Sequence, residues 1–301
     1  MNTSQLKKSK SWLKPLLRVV LGIFIFVITA AITLLFNSTF QTYVLRRITE
    51  VANANYGYKI SFDKVHVTLN KSIYIKNLVL CGKNNDTIIQ ADITCQIQNW
   101  NVKAKTLKLR TFNCKAKQLH ALAYADGSYN FDLYLNSSKN QSTPWLIDCK
   151  AFNLNMQNID VIKQLHPNLH TTKLIYKTKQ LNCEGQFEYK NNVRLQLHKL
   201  ALNGSNFIDI HNVNGAFTFY SKGLFCKHAN IKTAYSEIQT DTAHITFDNL
   251  LNASLVALKS GSYIDLFELD SVLNTRKKPK HTRVQIEGNI KCNASKIIST
   301  N

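Results

Sequence analysis

The sequence predicts a mainly β protein, in which an N-terminal transmembrane helix and a short amphipathic helix precede an antiparallel sheet with one wetted face. Three observations predict it: an uncharged run at 19–36, a helical period at 37–56, and a two-residue period from Tyr58 onward. The composition agrees, because 45% hydrophobic residues suit a packed protein and 10 Gly with 4 Pro exclude a collagen or low-complexity chain.

The first element is the uncharged run VVLGIFIFVITAAITLLF at 19–36, whose helical length of ~27 Å matches a bilayer core. Basic residues without any acid precede it, which favours a cytoplasmic N-terminus at 1–18 and an exported remainder. A cleaved signal peptide is the alternative, with Thr29-Ala30-Ala31 as its cleavage site. The predicted membrane-anchor residues are Val19, Leu21, Ile23, Phe24, Ile25, Phe26, Val27, Ile28, Leu34, Leu35 and Phe36. The predicted orientation charges are Lys7, Lys8, Lys10, Lys14 and Arg18.

The second element is an amphipathic helix over 37–56, with Ser38 or Thr39 as its N-cap. Its apolar stripe recurs at steps of three and four residues and consists of Phe40, Tyr43, Val44, Ile48, Val51 and Ala52. Two hypotheses stay open together: the helix lies on membrane headgroups, or it caps the end of the following domain.

From Tyr58 the apolar residues alternate with polar ones, which is typical of antiparallel strands with one face in water. Turn signals such as Asp126-Gly127 and Asn203-Gly204 separate these strands. We expect a first β unit at 57–135, a loop at 136–144 and a second, incomplete β unit at 145–301. One further helix is predicted near 158–165, where Pro167 would end it.

Signals of enzyme chemistry are nearly absent from the sequence. Neither a nucleophile elbow, nor a phosphate-binding glycine loop, nor an H-E-x-x-H pair occurs, and the seven cysteines form no C-x-x-C pair. His166 and His170 are four residues apart, but Pro167 interrupts the turn that would bring them together. We therefore predict a non-enzymatic protein with no catalytic residues, no metal site, no cofactor and no obligatory disulfide framework.

The net charge of +20 raises the question of nucleic acid, but no nucleic-acid-binding motif accompanies it. An exported domain would meet anionic lipid surfaces instead. The run from Arg276 to Arg283 is predicted to be a solvated basic turn, with contact to anionic headgroups as its alternative.

Three stretches, taken in their order along the chain, resemble the AsmA-like and TamB family of bacterial envelope proteins. They are 40–80, FQTYVLRRITEVANANYGYKISFDKVHVTLNKSIYIKNLVL; 86–133, which leads to a D-G-x-x-N-F element; and 200–247, which is similar to Bacteroidota-type units. The D-G-x-x-N-F element consists of Asp126, Gly127, Asn130 and Phe131. The later sub-motifs are K-G-L at 222–224, I-K-T at 231–233 and S-x-I at 236–238. The resemblance covers the N-terminal portion of the family, whose C-terminal domain is not matched.

This resemblance implies a single-span protein of the bacterial inner membrane, with its bulk in the periplasm and an elongated, curled β-groove that is apolar inside. It implies envelope biogenesis by sheltering lipid acyl chains between the two membranes, with phospholipid and an outer-membrane assembly partner as expected partners and no nucleic acid. The alternative is assembly or secretion of outer-membrane proteins by strand pairing with protein clients. About 18 strands reaching ~85 Å are expected. The groove-lining candidates are Ile73, Ile75, Ile93, Ile97, Val193, Leu195 and Leu197.

Overall fold

The computed structural model describes residues 36–56, 59–82, 84–126, 128–131, 145–166, 169–190, 192–205, 208–220, 223–246, 254–273, 280–293 and 296–300. This part of the chain is mainly β, as predicted. The helices are α1 (Ser38–Tyr56) and α2 (Leu266–Leu273). The first seven strands are β1 (Ile60–Ser61), β2 (Lys64–Val67), β3 (Ser72–Cys81), β4 (Thr87–Asn101), β5 (Thr106–Ala123), β6 (Leu146–His166) and β7 (Leu169–Tyr189). The others are β8 (Val193–Asn203), β9 (Ile210–Tyr220), β10 (Gly223–Thr233), β11 (Glu237–Thr246), β12 (Ser254–Asp265), β13 (Arg283–Asn293) and β14 (Lys296–Thr300).

All fourteen strands belong to one sheet, in which each strand from β3 to β14 pairs with its neighbour in sequence. The short strands β1 and β2 share the outer edge of β3. The sheet is open and uncurled, with β14 at the end opposite to β1 and β2. The antiparallel, mainly β architecture is therefore confirmed, whereas the curl expected of the groove is not a feature of the sheet described.

The strands are longer and fewer than the sequence suggested. β6 and β7 have 21 residues each, about 70 Å at the usual rise per residue. The path from β1 to β14 extends only ~58 Å across the sheet at ~4.8 Å per strand. The expected array of ~18 strands and ~85 Å is longer than the one described, because that expectation allowed ~14 residues for each strand with its turn, whereas β6 and β7 have 21 residues each.

The pair β5–β6 is parallel, in contrast to the antiparallel pairing expected throughout. The residues after β5 turn toward the start of β4: the Asn130 backbone N–H donates to the Leu122 carbonyl, and the Asn130 side-chain amide donates to Asp86. They therefore form no hairpin with β6, which enters the sheet from the other end of β5. The two predicted β units are parts of one continuous sheet, and the predicted loop at 136–144 lies outside the described residues.

The helix predicted near 158–165 is wrong, because these residues belong to β6. Asn158 has a φ of 49°, and the pairings of β6 with β5 and β7 keep the same register on both sides of it. The apolar residues Met156, Ile159 and Ile162 are three apart in the sequence, a spacing that also fits a helical period.

The amphipathic helix is confirmed as α1, with a different N-cap from the one predicted. The Asn37 side-chain oxygen accepts from the Thr39 backbone N–H at 2.9 Å and from the Phe40 backbone N–H at 3.2 Å. The cap is therefore Asn37 and not Ser38 or Thr39.

Of the predicted membrane anchor, only Phe36 lies within the described residues, and the orientation charges lie outside them. Among the helices that the structure describes, none is long and apolar enough to cross a bilayer.

Candidate functional site

One face of the sheet carries rows of apolar side chains that run across the strands. The register of the pairings places these side chains side by side from one strand to the next. The central row crosses β4 to β12 and consists of Ile97, Leu109, Cys149, Phe187, Leu195, Phe217, Cys226, Ala243 and Val256. At ~4.8 Å per strand this row is about 38 Å long.

Three further rows lie parallel to the central row, and together the four rows are called the apolar face below. The outer row consists of Trp100, Leu107, Ile147, Tyr189, Val193, Phe219, Leu224 and Ile245. The second row consists of Val67, Ile73, Cys95, Phe112, Phe152, Gly185, Leu197 and Gly215. The third row consists of Val65, Ile75, Ile93, Cys114, Leu154, Cys183 and Leu200.

All seven groove-lining candidates lie on this apolar face. Ile97 and Leu195 belong to the central row, and Val193 belongs to the outer row. Ile73 and Leu197 belong to the second row, and Ile75 and Ile93 to the third, where they pair directly. Leu197 is buried and the other six side chains are half-buried. The structure thus brings the candidates together, and the lining of a groove stays a prediction.

Aromatic side chains that were not among the predicted lining residues occupy the middle of the face. Phe152 and Phe187 contact each other edge to face, with 6.0 Å between their ring centroids. Phe112 and Phe217 pack against the same cluster from β5 and β9. The alternation of each strand could have indicated their face, but only the register between strands shows that they meet.

Large side chains on the apolar face shield small ones. Cys149 is 1% exposed and packs in one cluster with Phe152 and Leu197. Leu195 and Phe217 remain half-buried, so that part of each side chain is open to the outside. Within the part of the chain that the structure describes, α1 contacts mainly β1 and β2, and α2 contacts β12, so neither helix lies over the middle of the sheet.

The opposite face of the sheet is polar. Arg194, Gln196 and Lys199 alternate with the apolar residues of β8 and are exposed. The Arg194 guanidinium lies 3.6 Å from the Glu188 carboxylate in an exposed pair, which contributes little to stability. The sheet therefore has one face suited to water and one suited to apolar groups.

Five cysteines belong to the apolar face, and their thiols are unpaired. Burial raises the pKa of Cys183 to about 11, because the thiolate would lose its hydration among apolar neighbours. Burial also raises the pKa of the Cys95, Cys114, Cys149 and Cys226 thiols. These residues act as small apolar side chains rather than as reactive groups at neutral pH.

Side chains of α1 bond to the backbone of the edge strands. The Gln41 side-chain oxygen accepts from Val67 N–H at 2.7 Å, and its amide donates to the Val67 carbonyl at 3.0 Å. The Thr42 hydroxyl accepts from Val65 N–H at 2.9 Å and lies 3.1 Å from the Val65 carbonyl. Asn53 makes the same two-way contact with Ile60, at 3.1 Å and 2.9 Å. The helix thus satisfies the outward-facing peptide groups of three edge residues, which supports its predicted role as a cap of the domain.

The D-G-x-x-N-F element holds the end of the first β strands together. Asn130 is 1% exposed, donates to Asp86 at 2.8 Å and to the His120 carbonyl at 2.9 Å, and accepts from Leu122 N–H at 3.1 Å. The Tyr124 hydroxyl donates to Asp86 at 3.2 Å, and burial with the nearby carboxylate raises the pKa of Tyr124 to about 12. These contacts are structural, and Gly127 lies outside the described residues.

A polar cluster joins α2 to the β10–β11 turn. The buried Glu268 carboxylate accepts from the Thr233 hydroxyl at 2.6 Å, from Tyr235 N–H at 3.1 Å and from the Ser236 hydroxyl. Asp265 is 2% exposed and lies 3.2 Å from the His281 ring. Since both carboxylates are occupied by hydrogen bonds of the turn and the helix, the cluster fixes α2 in place.

Within the described residues, no group of three or more His, Cys, Asp or Glu side chains could hold a metal ion. The basic run from Arg276 to Arg283 lies partly outside the described residues, and Arg283 begins β13 with its guanidinium 4.9 Å from the Tyr263 ring centroid.

Comparison with protein-family models, curated proteins and solved structures found no match.

Proposed function

We propose that this chain is a non-enzymatic, membrane-anchored protein of bacterial envelope biogenesis, whose apolar face shelters lipid acyl chains. In this proposal 19–36 anchors the chain in the inner membrane with the N-terminus in the cytoplasm, and the sheet lies in the periplasm. The observation that carries the proposal is the set of four apolar rows, which neither described helix covers in the middle of the sheet.

The size of the apolar face supports a ligand of lipid dimensions. From Leu107 to Cys114 on β5 the rows extend ~23 Å along the strands, and the central row extends ~38 Å across them. The face therefore has a geometric footprint of roughly 900 Å², of which the half-buried side chains expose a part to water. An apolar face that is partly open to water favours a bound apolar partner.

In this proposal the hydrophobic effect alone drives lipid binding. Each methylene group that moves from water onto the face gains about 0.8 kcal/mol, and the half-buried Leu195 and Phe217 lose contact with water at the same time. Because the described sheet is open and uncurled, the apolar face would cover bound chains on one side. The chain needs no energy source of its own in this proposal, because it only lowers the free-energy cost of exposing acyl chains to water.

Protein assembly by strand pairing is the alternative, and among the described strands it would require the β14 edge of the sheet. The outward-facing peptide groups of Ile60, Val65 and Val67 already bond to α1, so a client strand would have to displace the helix to add at this edge. The apolar rows, in contrast, need no rearrangement to accept an apolar ligand.

The test measures lipid bound to the purified full-length chain by mass spectrometry, in Leu195→Asp/Phe217→Asp and in the matched control Gln196→Asp/Thr218→Asp. Gln196 and Thr218 directly follow Leu195 and Phe217 on the same two strands, so the two double variants place the same added charges on opposite faces of the sheet. Lipid around the anchor should be common to both, and the apolar-face variant should retain less lipid than the control and the wild type. Equal lipid in both folded variants would contradict the proposal.

A further inference from the structure

The two faces of α1 are reversed relative to an ordinary surface helix. Gln41 and Thr42 are each 8% exposed and bond to β2, so the polar side of the helix faces the protein. The apolar stripe faces outward: Tyr43 is 58% exposed, Ile48 58% and Val51 60%. A helix that packs on a core buries its apolar side instead.

This outward direction is fixed by the edge contacts and not by chance exposure of a loose helix. Gln41, Thr42 and Asn53 hold α1 to β2 and β1 at both of its ends, over three turns. Rotation of the helix to bury the stripe would break all of these two-way contacts and leave the backbone of Val65, which is 2% exposed, without its helix partner.

We propose that the exposed stripe of α1, formed by Phe40, Tyr43, Val44, Ile48 and Val51, is a docking surface for the interface of a lipid bilayer. The uncharged run at 19–36 ends directly before the helix, so a span over that run would place the start of α1 at the membrane surface. Arg47 lies over the Tyr43 ring at 5.5 Å, four residues after Tyr43 and four before Val51, so it belongs to the same side of the helix, and its charge suits anionic headgroups.

The stripe is also continuous with the apolar face of the sheet. A cavity of about 160 Å³ is lined by Phe40, Val44 and Leu45 of the helix and by Val67, the first residue of the second row. Docking of α1 would therefore place the β2 end of the apolar rows next to the bilayer. The span at 19–36 and this consequence for lipid entry rest on the proposed function, whereas binding of the stripe to a bilayer does not depend on whether the sheet carries lipid.

The experiment introduces a photoreactive benzophenone amino acid into the full-length chain in bacterial membranes, at position 48 or 51 of the stripe. The control is position 46, because Arg46 is exposed on the same helix and lies away from the stripe, on the side where it donates to the Asp63 carbonyl at 3.2 Å. Thermal unfolding of each labelled protein checks that the contacts with β2 are intact. We expect phospholipid adducts at positions 48 and 51 that are several-fold more abundant than at position 46.

Equal lipid adducts at positions 48 and 46, or none at either, would overturn the proposal. Adducts at position 48 with a second copy, or with 1–35 of the same chain, would overturn it in favour of a protein cover. A probe at position 195 separates the two proposals. Lipid adducts at position 48 without any at position 195 would support the docking surface and refute lipid sheltering by the sheet. Lipid adducts at position 195 without any at position 48 would refute only the docking surface.

Discussion

Replacement of Thr42 by Val tests how firmly α1 holds the edge of the sheet. The two side chains have almost the same shape and similar helix propensity, so the change removes the hydroxyl and little else. Thr42 is 8% exposed and Val65 is 2% exposed, and the hydroxyl accepts the Val65 N–H at 2.9 Å. In the variant this buried N–H has no acceptor in the helix.

An unsatisfied buried N–H costs about 1–3 kcal/mol, and the Val65 carbonyl loses a shared bond at 3.1 Å as well. The hydroxyl also lies 2.6 Å from the Ser38 carbonyl, which reduces the loss at Val65 because one proton serves both acceptors. We therefore expect the free energy of unfolding to fall by about 2 kcal/mol. Equilibrium unfolding in urea, followed by circular dichroism, measures the difference.

Thr49→Val is the matched control, because the half-buried Thr49 hydroxyl donates at 2.8 Å to the Leu45 carbonyl within the same helix. This carbonyl keeps its place in the helix without the hydroxyl, and a change below about 0.5 kcal/mol is expected. An equal loss in the two variants, or no loss in Thr42→Val, would refute the assignment of the edge contacts as the source of stability.

Three further predictions concern the sheet itself. Gly185→Ala should destabilise the fold in urea unfolding by at least about 1 kcal/mol, since an added Cβ would lie 2.2 Å from the Gln196 carbonyl oxygen, whereas the exposed neighbour Gln186→Ala should change it little. Asn130→Leu should lower the free energy of unfolding by about 2–4 kcal/mol in the same assay, because Leu122 N–H and Asp86 lose a buried partner. An effect as small as that of Asn113→Ala, at an exposed position, would contradict this role of Asn130. Cys183 should react with iodoacetamide at neutral pH more slowly in the native than in the unfolded protein. Its pKa rises from 9.0 to about 11 on folding, so the thiol of the unfolded protein ionises first as the pH is raised. The free energy of unfolding should therefore fall as the pH rises from about 9 through about 11. Equal alkylation rates in the two states would show that the thiol is not desolvated.

The alternation along single strands was enough to predict the fold class and the side of the candidate residues. Ile73 and Ile75 on β3, and Val193, Leu195 and Leu197 on β8, alternate with polar residues, and each strand places them on one face. This works because the side-chain period of a strand is two, whatever its neighbours are.

The rows themselves could not be predicted, because they depend on the register between strands. Residues 75 and 78 of β3 are three apart in sequence, and the bulge at Asn77, with a φ of 52°, returns Leu78 to the apolar side. Asn with a positive φ is a signal of such bulges, but the many asparagines of this chain make the signal ambiguous without a structure.

The role of Gln41, Thr42 and Asn53 also lay beyond the sequence. Their positions on the polar side of an amphipathic helix are typical of residues in water. Only the position of the helix at the edge of β2 shows that they face backbone groups, and that the apolar stripe is the exposed side.

The most direct measurement of lipid sheltering is photocrosslinking in living cells, with a benzophenone amino acid at position 217 of the central row or at position 218 on the opposite face. Both positions are half-buried neighbours on β9, so exposure and expression are matched. We predict phospholipid adducts at position 217 and few at position 218, as measured by mass spectrometry of the purified chain. Lipid adducts at neither position, or the same amount at both, would contradict the proposal that the apolar face shelters lipid.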